Sequence, residues 1–74
     1  MPEIRAEMAA NVWKVVATEG FQVADGDVLV VLESMKMEIP VHAESAGTLT
    51  RLAVAEGTVV QEGDLIAVVD AATA

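Results

Sequence analysis

Residues 19–27 read Glu-Gly-Phe-Gln-Val-Ala-Asp-Gly-Asp, and residues 56–64 read Glu-Gly-Thr-Val-Val-Gln-Glu-Gly-Asp. At an offset of 37 residues the two stretches share five identical positions, among them the Gly-Asp pair that ends each stretch. The apolar runs that follow them, residues 28–33 and 65–70, match as well. An internal repeat of this extent predicts two copies of one structural unit, which together make up almost the whole chain.

Each copy has the composition of short β-strands rather than of helices. β-Branched residues are concentrated in segments of about five residues bounded by turn residues, which is typical of strands. No long apolar pattern with a 3.6-residue period occurs, so we expect no substantial helix. The predicted strands are Val12–Val16, Val28–Leu32, Leu49–Val54 and Leu65–Val69.

Glycine and proline predict where the chain turns. Gly26 and Gly63 each stand between two acidic residues, and glycine accepts the positive φ angle of a tight turn without steric cost. Pro40 lies within the extended segment Glu38–His42. This predicts an edge strand, or a strand bent at the proline, because proline cannot donate a ladder hydrogen bond. Residues 8–11 are expected to form at most a tight turn.

The fold class follows from what one copy cannot do alone. A unit of 37 residues is too small to cover its own apolar face. Two copies packed face to face can do so, which predicts an all-β sandwich or flattened β-barrel with an internal pseudo-twofold axis. A chain of 74 residues has room for a single domain, which we assign to residues 1–74.

The charge balance restricts the classes of partner. The chain has 4 basic and 12 acidic residues and a formal net charge of −8, which repels the phosphates of nucleic acids and anionic membranes. It has no cysteine, so neither a disulfide nor a thiolate metal site can form. We find no signal-peptide pattern and no apolar run long enough to span a membrane. We therefore expect a cytoplasmic monomer that binds neither nucleic acid nor membrane.

Catalytic and metal-binding patterns are missing from the sequence. His42 is the only histidine and no cysteine accompanies it, so we expect a surface or strand-packing role rather than metal binding. Ser34 and Ser45 belong to no motif that supplies a histidine base. Glycine-rich phosphate loops are missing too. The sequence predicts no metal site and no catalytic residue, and the isolated chain is not expected to be an enzyme.

The segment 33–38 is the place where the two copies cease to match. The repeat offset pairs Lys36 with Thr73, near the end of the chain, so the first copy continues through a hairpin where the second stops. The pseudo-twofold axis should place this hairpin opposite the chain termini, exposed at one end of the domain. Lys36 is then expected at the hairpin tip, between Met35 and Met37.

Local chemistry leaves two interpretations of this tip open. Methionine has no turn preference, and an exposed methionine pair often marks a recognition surface, because its flexible side chain adapts to a partner's pocket. Alternatively, Met35 and Met37 fold back onto the end of the sandwich, and Lys36 is an ordinary surface charge. Neither interpretation is favoured by the local residues alone.

The run Glu33-Ser34-Met35-Lys36-Met37 resembles the biotin attachment motif, whose core is Met-Lys-Met with the lysine modified. The Glu-Gly and Gly-Asp segments of both copies resemble the same family, so that the likeness extends over nearly the whole chain. The resemblance is to the biotinyl domains of the biotin/lipoyl attachment family, and in length to small stand-alone biotin carboxyl carrier proteins. It implies a barrel-sandwich hybrid of two four-stranded sheets with the modified lysine at a hairpin turn.

The resemblance also implies roles for individual residues. Lys36 matches the lysine to which biotin is joined covalently, and Met35, Met37 and Glu33 match positions that the modifying ligase recognises. Ser34 stands where the family more often has alanine, a small exchange that should not prevent modification.

A larger departure from the family lies at the start of the first copy. The family tends to have a glycine here, and the second copy has it as Gly47, but the first has Ala10. Because asparagine tolerates the left-handed region, Asn11 is expected to take over part of the glycine's role.

The function implied by the resemblance is that of a non-catalytic carrier. A biotin protein ligase would attach biotin to Lys36, and the biotin would carry a carboxyl group between biotin carboxylase and carboxyltransferase subunits. One alternative is a lipoyl carrier domain of a 2-oxo acid dehydrogenase-type complex, although lipoyl domains more often have Asp-Lys-Ala at the tip. A second alternative is an unmodified assembly module, which has no need of Lys36 or of the flanking methionines.

Overall fold

The computed structural model describes residues 3–71, which form eight β-strands in two antiparallel four-stranded sheets. Thr73, the repeat equivalent of Lys36, lies outside the described residues. Within residues 3–71 no helix is long and apolar enough to cross a membrane. The strands are β1 (Glu3–Arg5), β2 (Ala10–Val15), β3 (Gln22–Val23), β4 (Val28–Ser34), β5 (Met37–His42), β6 (Gly47–Leu52), β7 (Val59–Val60) and β8 (Leu65–Ala71).

The predicted all-β architecture with two four-stranded sheets is confirmed, and its pseudo-twofold symmetry extends to the strand order. One sheet has the order β1-β8-β6-β3 and the other β5-β4-β2-β7. Exchanging each strand for its repeat equivalent turns one order into the other. The register is symmetric as well: Arg5 pairs with Leu65 as His42 pairs with Val28.

The two copies interlock, and each contributes two strands to each sheet. The first copy places β1 and β3 in one sheet and β2 and β4 in the other. The expectation that one copy simply packs against the other was therefore too simple. Neither sheet can form from one copy, because each sheet takes its two central strands from one copy and its two edge strands from the other.

Two glutamates at equivalent positions join the copies reciprocally. The Glu19 carboxylate accepts a hydrogen bond from the backbone N–H of Leu52, and the Glu56 carboxylate accepts one from Val15, both at 2.9 Å. Each glutamate thus binds the end of a central strand that belongs to the other copy. The sequence identity of the Glu-Gly pairs is explained by this shared structural role.

The repeated Gly-Asp pairs form the tight turns that the sequence predicted. Gly26 and Gly63 have φ angles of 90° and 88°. The carboxylates of Asp27 and Asp64 accept hydrogen bonds from the backbone N–H groups three residues earlier, each at 2.8 Å. These aspartates therefore stabilise turns, as turn chemistry predicts.

Predicted and observed strand boundaries differ by up to two residues: β6 is Gly47–Leu52 rather than Leu49–Val54, and β4 and β8 each end two residues later than predicted. β2 begins at Ala10, two residues earlier than predicted, and only Glu7 and Met8 form a bend. Asn11 does not adopt a positive φ angle, so the left-handed conformation expected for it was wrong. The reason is that Asn11 pairs with strands on both sides, opposite Glu33 in β4 and Val59 in β7. The edge position predicted for the strand containing Pro40 is correct, since β5 pairs only with β4.

The core is a thin aliphatic layer between the sheets. No buried polar side chain occurs within residues 3–71, so burial of aliphatic surface is the main favourable term. Trp13 and Phe21 are both exposed and leave this core entirely aliphatic. The largest fully buried side chains are Leu29, Leu32, Leu49, Ile66, Val12, Val30 and Val69.

We predict that Gly26→Ala and Gly63→Ala destabilise the protein equally, by about 1–2 kcal/mol, because each forces a side chain into the left-handed region. A Cβ atom at either position would meet no atom within 4 Å, so crowding adds nothing to this cost. The free energy of unfolding in urea measures both losses. Asparagine at the same positions serves as a control and should cost less. Clearly unequal losses would contradict the symmetry of the two turns.

Candidate functional site

The β4–β5 hairpin ends in a two-residue turn formed by Met35 and Lys36. Ser34 and Met37 form the last strand pair before it. Met35 and Lys36 have φ angles of 51° and 67°, and they are the non-glycine residues with positive φ within residues 3–71. Positive φ at both central residues is the mark of a type I′ turn, which suits the right-handed twist of a hairpin.

The turn has a conformation that its residues do not favour. Type I′ turns strongly prefer Asn-Gly or similar pairs, whereas a larger side chain in the left-handed region costs on the order of 1–2 kcal/mol. The strands below hold Met35 and Lys36 in place, since β4 and β5 are paired from Val28 and His42 up to the turn. Strained backbone of this kind is concentrated at functional sites.

Lys36 lies at the hairpin tip, as the sequence predicted, and its amine is free. The side chain is exposed. Within residues 3–71 the ion pair that forms is Arg5 with Glu3, so no described carboxylate neutralises the Lys36 ammonium group. The amine can therefore be reached from solvent without breaking a described ion pair.

The two methionines project into solvent and do not fold back onto the sandwich. Met35 is 92% exposed and Met37 is 64% exposed. Side chains that are this exposed contribute little to packing of the domain. With Lys36 between them, these methionines form an apolar pair around a free amine.

A pair of carboxylates lies one step below the turn. Glu33 and Glu38 are direct cross-strand partners, and opposed like charges destabilise a hairpin. The sequence singled out Glu33 as a ligase-recognition position, which stays a prediction, and it did not single out Glu38. The register could have identified it, because a two-residue turn at positions 35 and 36 sets residue 33 opposite residue 38. The hairpin thus presents a cation at its tip and negative charge beneath it.

The absence of a glycine from the first copy shortens the ladder between β2 and β4 by one pair, next to the hairpin turn. In the second copy, a Cβ atom on Gly47 would lie 2.0 Å from the carbonyl oxygen of Asp70, so only glycine permits the pairing of Gly47 with Ala71. In the first copy, Ala10 occupies the equivalent position, and the ladder between β2 and β4 begins one residue later, at Asn11. Ser34 is consequently paired with β5 alone.

Of the other residues considered, His42 and Ser45 lie away from the tip, whereas Ser34 directly precedes the turn. The Nδ1 atom of His42 is 3.0 Å from the carbonyl oxygen of Gly26, at the end of β5 farthest from the turn. Ser34 and Ser45 are half-buried, and the described structure gives neither a histidine partner. Within residues 3–71 no cluster of three His, Cys, Asp or Glu side chains could hold a metal ion.

Comparison with known proteins identifies the family. The family model described as "Biotin-requiring enzyme", the biotin/lipoyl model, matches residues 1–69. The chain belongs to the biotin/lipoyl attachment family. It is a carrier domain of this family, and its length and fold match the resemblance carried by the motif around Lys36.

Relatives in this family include biotinylated proteins. The "Biotinylated protein TB7.3 homolog" of Mycobacterium leprae is 63% identical over 41 residues, which are 55% of this chain and 58% of the relative. The match thus spans little more than half the relative's length. In the urea carboxylase of Kluyveromyces lactis, a region making up 6% of that chain is 33% identical and covers 93% of this one, with a TM-score of 0.86.

The fold is shared with lipoyl domains as well. The lipoyl domain of the 2-oxoglutarate dehydrogenase complex from Azotobacter vinelandii has a TM-score of 0.75 and is 21% identical, covering 90% of this chain and 95% of that one. At this identity the likeness shows the fold alone. The fold does not distinguish biotin from lipoate carriers, so the distinction depends on the residues at the tip.

We predict that Met35→Asn raises the free energy of unfolding by about 1 kcal/mol, because asparagine tolerates the left-handed region better than methionine. Urea denaturation measures this gain. Met37→Asn is the matched control: Met37 lies in β5 with ordinary strand geometry, so the same exchange should not stabilise the protein. A gain in the control equal to that in Met35→Asn would rule out strain at the turn as its source.

Proposed function

We propose that this chain is a biotin carrier protein in which Lys36 is joined covalently to biotin by a biotin protein ligase. The observation that carries the proposal is a free, exposed lysine amine at the tip of a strained hairpin turn, between two exposed methionines. A primary amine that is accessible and unpaired within the described structure fits the group to be attached. The biotinylated relatives support the choice of biotin.

Attachment requires Lys36 to act as a nucleophile. Its Nζ atom attacks the carbonyl carbon of biotinyl-adenylate, an amide bond forms, and adenylate leaves. The proton lost from Nζ passes to a base of the ligase, since no histidine or described carboxylate of this chain contacts the amine. The chain contributes position: the turn holds the amine beyond the end of both sheets.

The residues around Lys36 are proposed to guide the ligase. Met35 and Met37 provide flexible apolar surface that a ligase pocket can enclose. Glu33, together with Glu38, provides negative charge at a defined distance from the amine, suited to a basic surface on the ligase. Modification converts Lys36 to a neutral amide, so the local charge becomes more negative once the reaction is complete.

Biotin is favoured over lipoate by the residues at the tip. The lipoyl alternative shares the fold but more often has Asp-Lys-Ala where this chain has Met-Lys-Met. An unmodified assembly module would leave unexplained both the strained turn and the exposed methionines. Neither alternative has an observation in its favour that biotin attachment lacks.

As a carrier, the chain is proposed to serve separate biotin carboxylase and carboxyltransferase subunits in the cytoplasm. When attached, biotin supplies a ring nitrogen that accepts and releases a carboxyl group. The chain itself supplies reach, because tethering keeps the local concentration of the attached group high at both active sites. The domain performs no catalysis in this scheme.

We predict that the intact mass of the protein, produced with an active biotin ligase, increases by one biotinyl group. Lys36→Ala should abolish the increase because the attached amine is removed. Lys14→Ala is the matched control, since Lys14 is an exposed lysine on β2, and its loss should leave the mass gain intact. No gain in the unaltered protein, or a gain equal to a lipoyl group, would overturn the proposal.

We also predict that Met35→Ala and Met37→Ala each lower kcat/KM for biotinylation roughly tenfold, the order expected when a side chain enclosed by a partner's pocket is truncated. Initial rates with purified ligase measure the effect. Met8→Ala provides the comparison, because Met8 is exposed but lies outside the hairpin. Equal losses in all three variants would argue against a specific role for the hairpin methionines.

A further inference from the structure

The internal repeat allows each exposed side chain to be compared with its equivalent on the same backbone. Around Val16 and Phe21, the loop between β2 and β3 shares most of its backbone hydrogen bonds with the loop between β6 and β7, although the bond from Ala17 N–H to Leu29 has no described counterpart at Val54. Val16 N–H donates to Leu29 at 2.9 Å, and its equivalent Ala53 donates to Ile66 at 2.8 Å. The two loops therefore fold alike, and differences between their side chains are not required by the backbone.

The first loop is apolar where the second is small or polar. Val16 is 52% exposed and Phe21 is 67% exposed, whereas the equivalent residues are Ala53 and Thr58. Thr58 donates a hydrogen bond from Oγ1 to the carbonyl oxygen of Ala55 at 2.6 Å, and phenylalanine cannot make this bond. The first loop thus exposes an aromatic ring and lacks a stabilising hydrogen bond, which the fold itself does not explain.

These two side chains line one groove, which we call the distal groove. It is lined by Val16, Ala17, Thr18 and Phe21 of the loop, Gln22 and Val23 of β3, and Asp27 and Val28 at the entry to β4. Glu19 and Asp25 do not line the groove, but both are exposed and lie within two residues of lining residues in the sequence. The Glu19 carboxylate binds the Leu52 backbone and is therefore fixed in place. The distal groove is thus lined mostly by apolar residues, with Asp27 as its acidic lining residue and two further carboxylates in the adjoining chain.

The distal groove lies at the end of the domain away from the hairpin tip. It touches Val28, the first residue of β4, whereas the turn follows Ser34 at the other end. Seven residues of extended strand separate the two by about 20 Å. A partner bound in the distal groove would leave Lys36 free to enter an active site.

We propose that the distal groove is the docking surface for a catalytic subunit of a biotin-dependent carboxylase, one with an apolar pocket and a basic rim. The proposal rests on the carrier function proposed above. Charge favours such a partner over a second copy, because a formal net charge of −8 on each chain opposes self-association. The same charge opposes binding to an anionic membrane. Phe21 would be the anchor, since aromatic side chains dominate the binding energy of interfaces.

The test measures binding of the full protein to purified biotin carboxylase and carboxyltransferase subunits of its source organism by titration calorimetry. The double variant Val16→Ala/Phe21→Thr gives the first loop the residues of the second. Its Kd for at least one subunit should be at least tenfold higher, while its unfolding midpoint in urea is retained. Val59→Gln is the matched control: Val59 is an exposed apolar residue whose repeat equivalent is Gln22, and its Kd should be unchanged.

Two further variants separate docking from modification. Lys36→Ala, which cannot be modified, should bind with nearly the Kd of the unaltered protein. The double variant should be biotinylated by the ligase at the normal rate. An unchanged Kd for the double variant overturns the proposal. Slower biotinylation of the double variant also overturns it, because the groove would then belong to the ligase. Sedimentation that shows a dimer broken by the double variant would assign the groove to a second copy instead.

Biotin attachment to Lys36 is tested separately from docking, so failure of one proposal can be told from failure of the other. If the intact mass shows biotin on Lys36 but no carboxylase subunit binds the unaltered protein, the docking proposal fails while attachment stands. If no biotin is attached at all, the proposed function fails first, whatever the binding measurements show.

Discussion

The structure depends on one constraint, which is that neither copy of the repeat can complete a sheet by itself. The central strands β8 and β6 of one sheet come from the second copy, and those of the other sheet, β4 and β2, come from the first. Glu19 and Glu56 extend this dependence, because each carboxylate binds the backbone of the opposite copy. Apolar burial drives association of the copies, but the exchange of strands determines their arrangement.

The same constraint accounts for the geometry at the hairpin tip. Met35 and Lys36 adopt positive φ angles that their side chains disfavour. The strain energy of these two residues is offset by the ladder between β4 and β5. This ladder is itself held by β2 and by the core beneath it. The strain at the tip is thus tolerated because stability resides elsewhere, in the strands and the core below it.

Several features could be predicted because a local rule matched the tertiary structure. Gly26 and Gly63 have the turn conformation that glycine favours, and Pro40 lies in an edge strand, where its missing N–H is harmless. The position of Lys36 at a hairpin tip followed from the repeat, without any turn residue to indicate it. Its positive φ angle could not be inferred, since no local preference of methionine or lysine favours it.

Other features depended on contacts that no local rule contains. Asn11 was expected to adopt the left-handed conformation because asparagine tolerates it, but strands on both sides hold the residue extended. The need for Gly47 comes from the carbonyl of Asp70, a residue of the neighbouring strand. Likewise, the exchange of strands between copies is invisible in the repeat, because two copies packed side by side would have the same sequence pattern. These features are set by topology, which the pattern of apolar residues leaves open.

The interlocking of the copies also determines when, during synthesis, the hairpin tip can reach its final shape. Residues 10–42 contain β2, β4 and β5, which could pair as soon as they leave the ribosome, but the apolar face of this sheet stays uncovered until β6 and β8 are made. At that stage the ladder that holds the strained turn lacks the core that lies beneath it in the complete domain. On the function proposed above, the ligase would therefore meet the proper shape of the tip only after β8 has been inserted between β1 and β6. Attached biotin would then mark chains whose folding is complete.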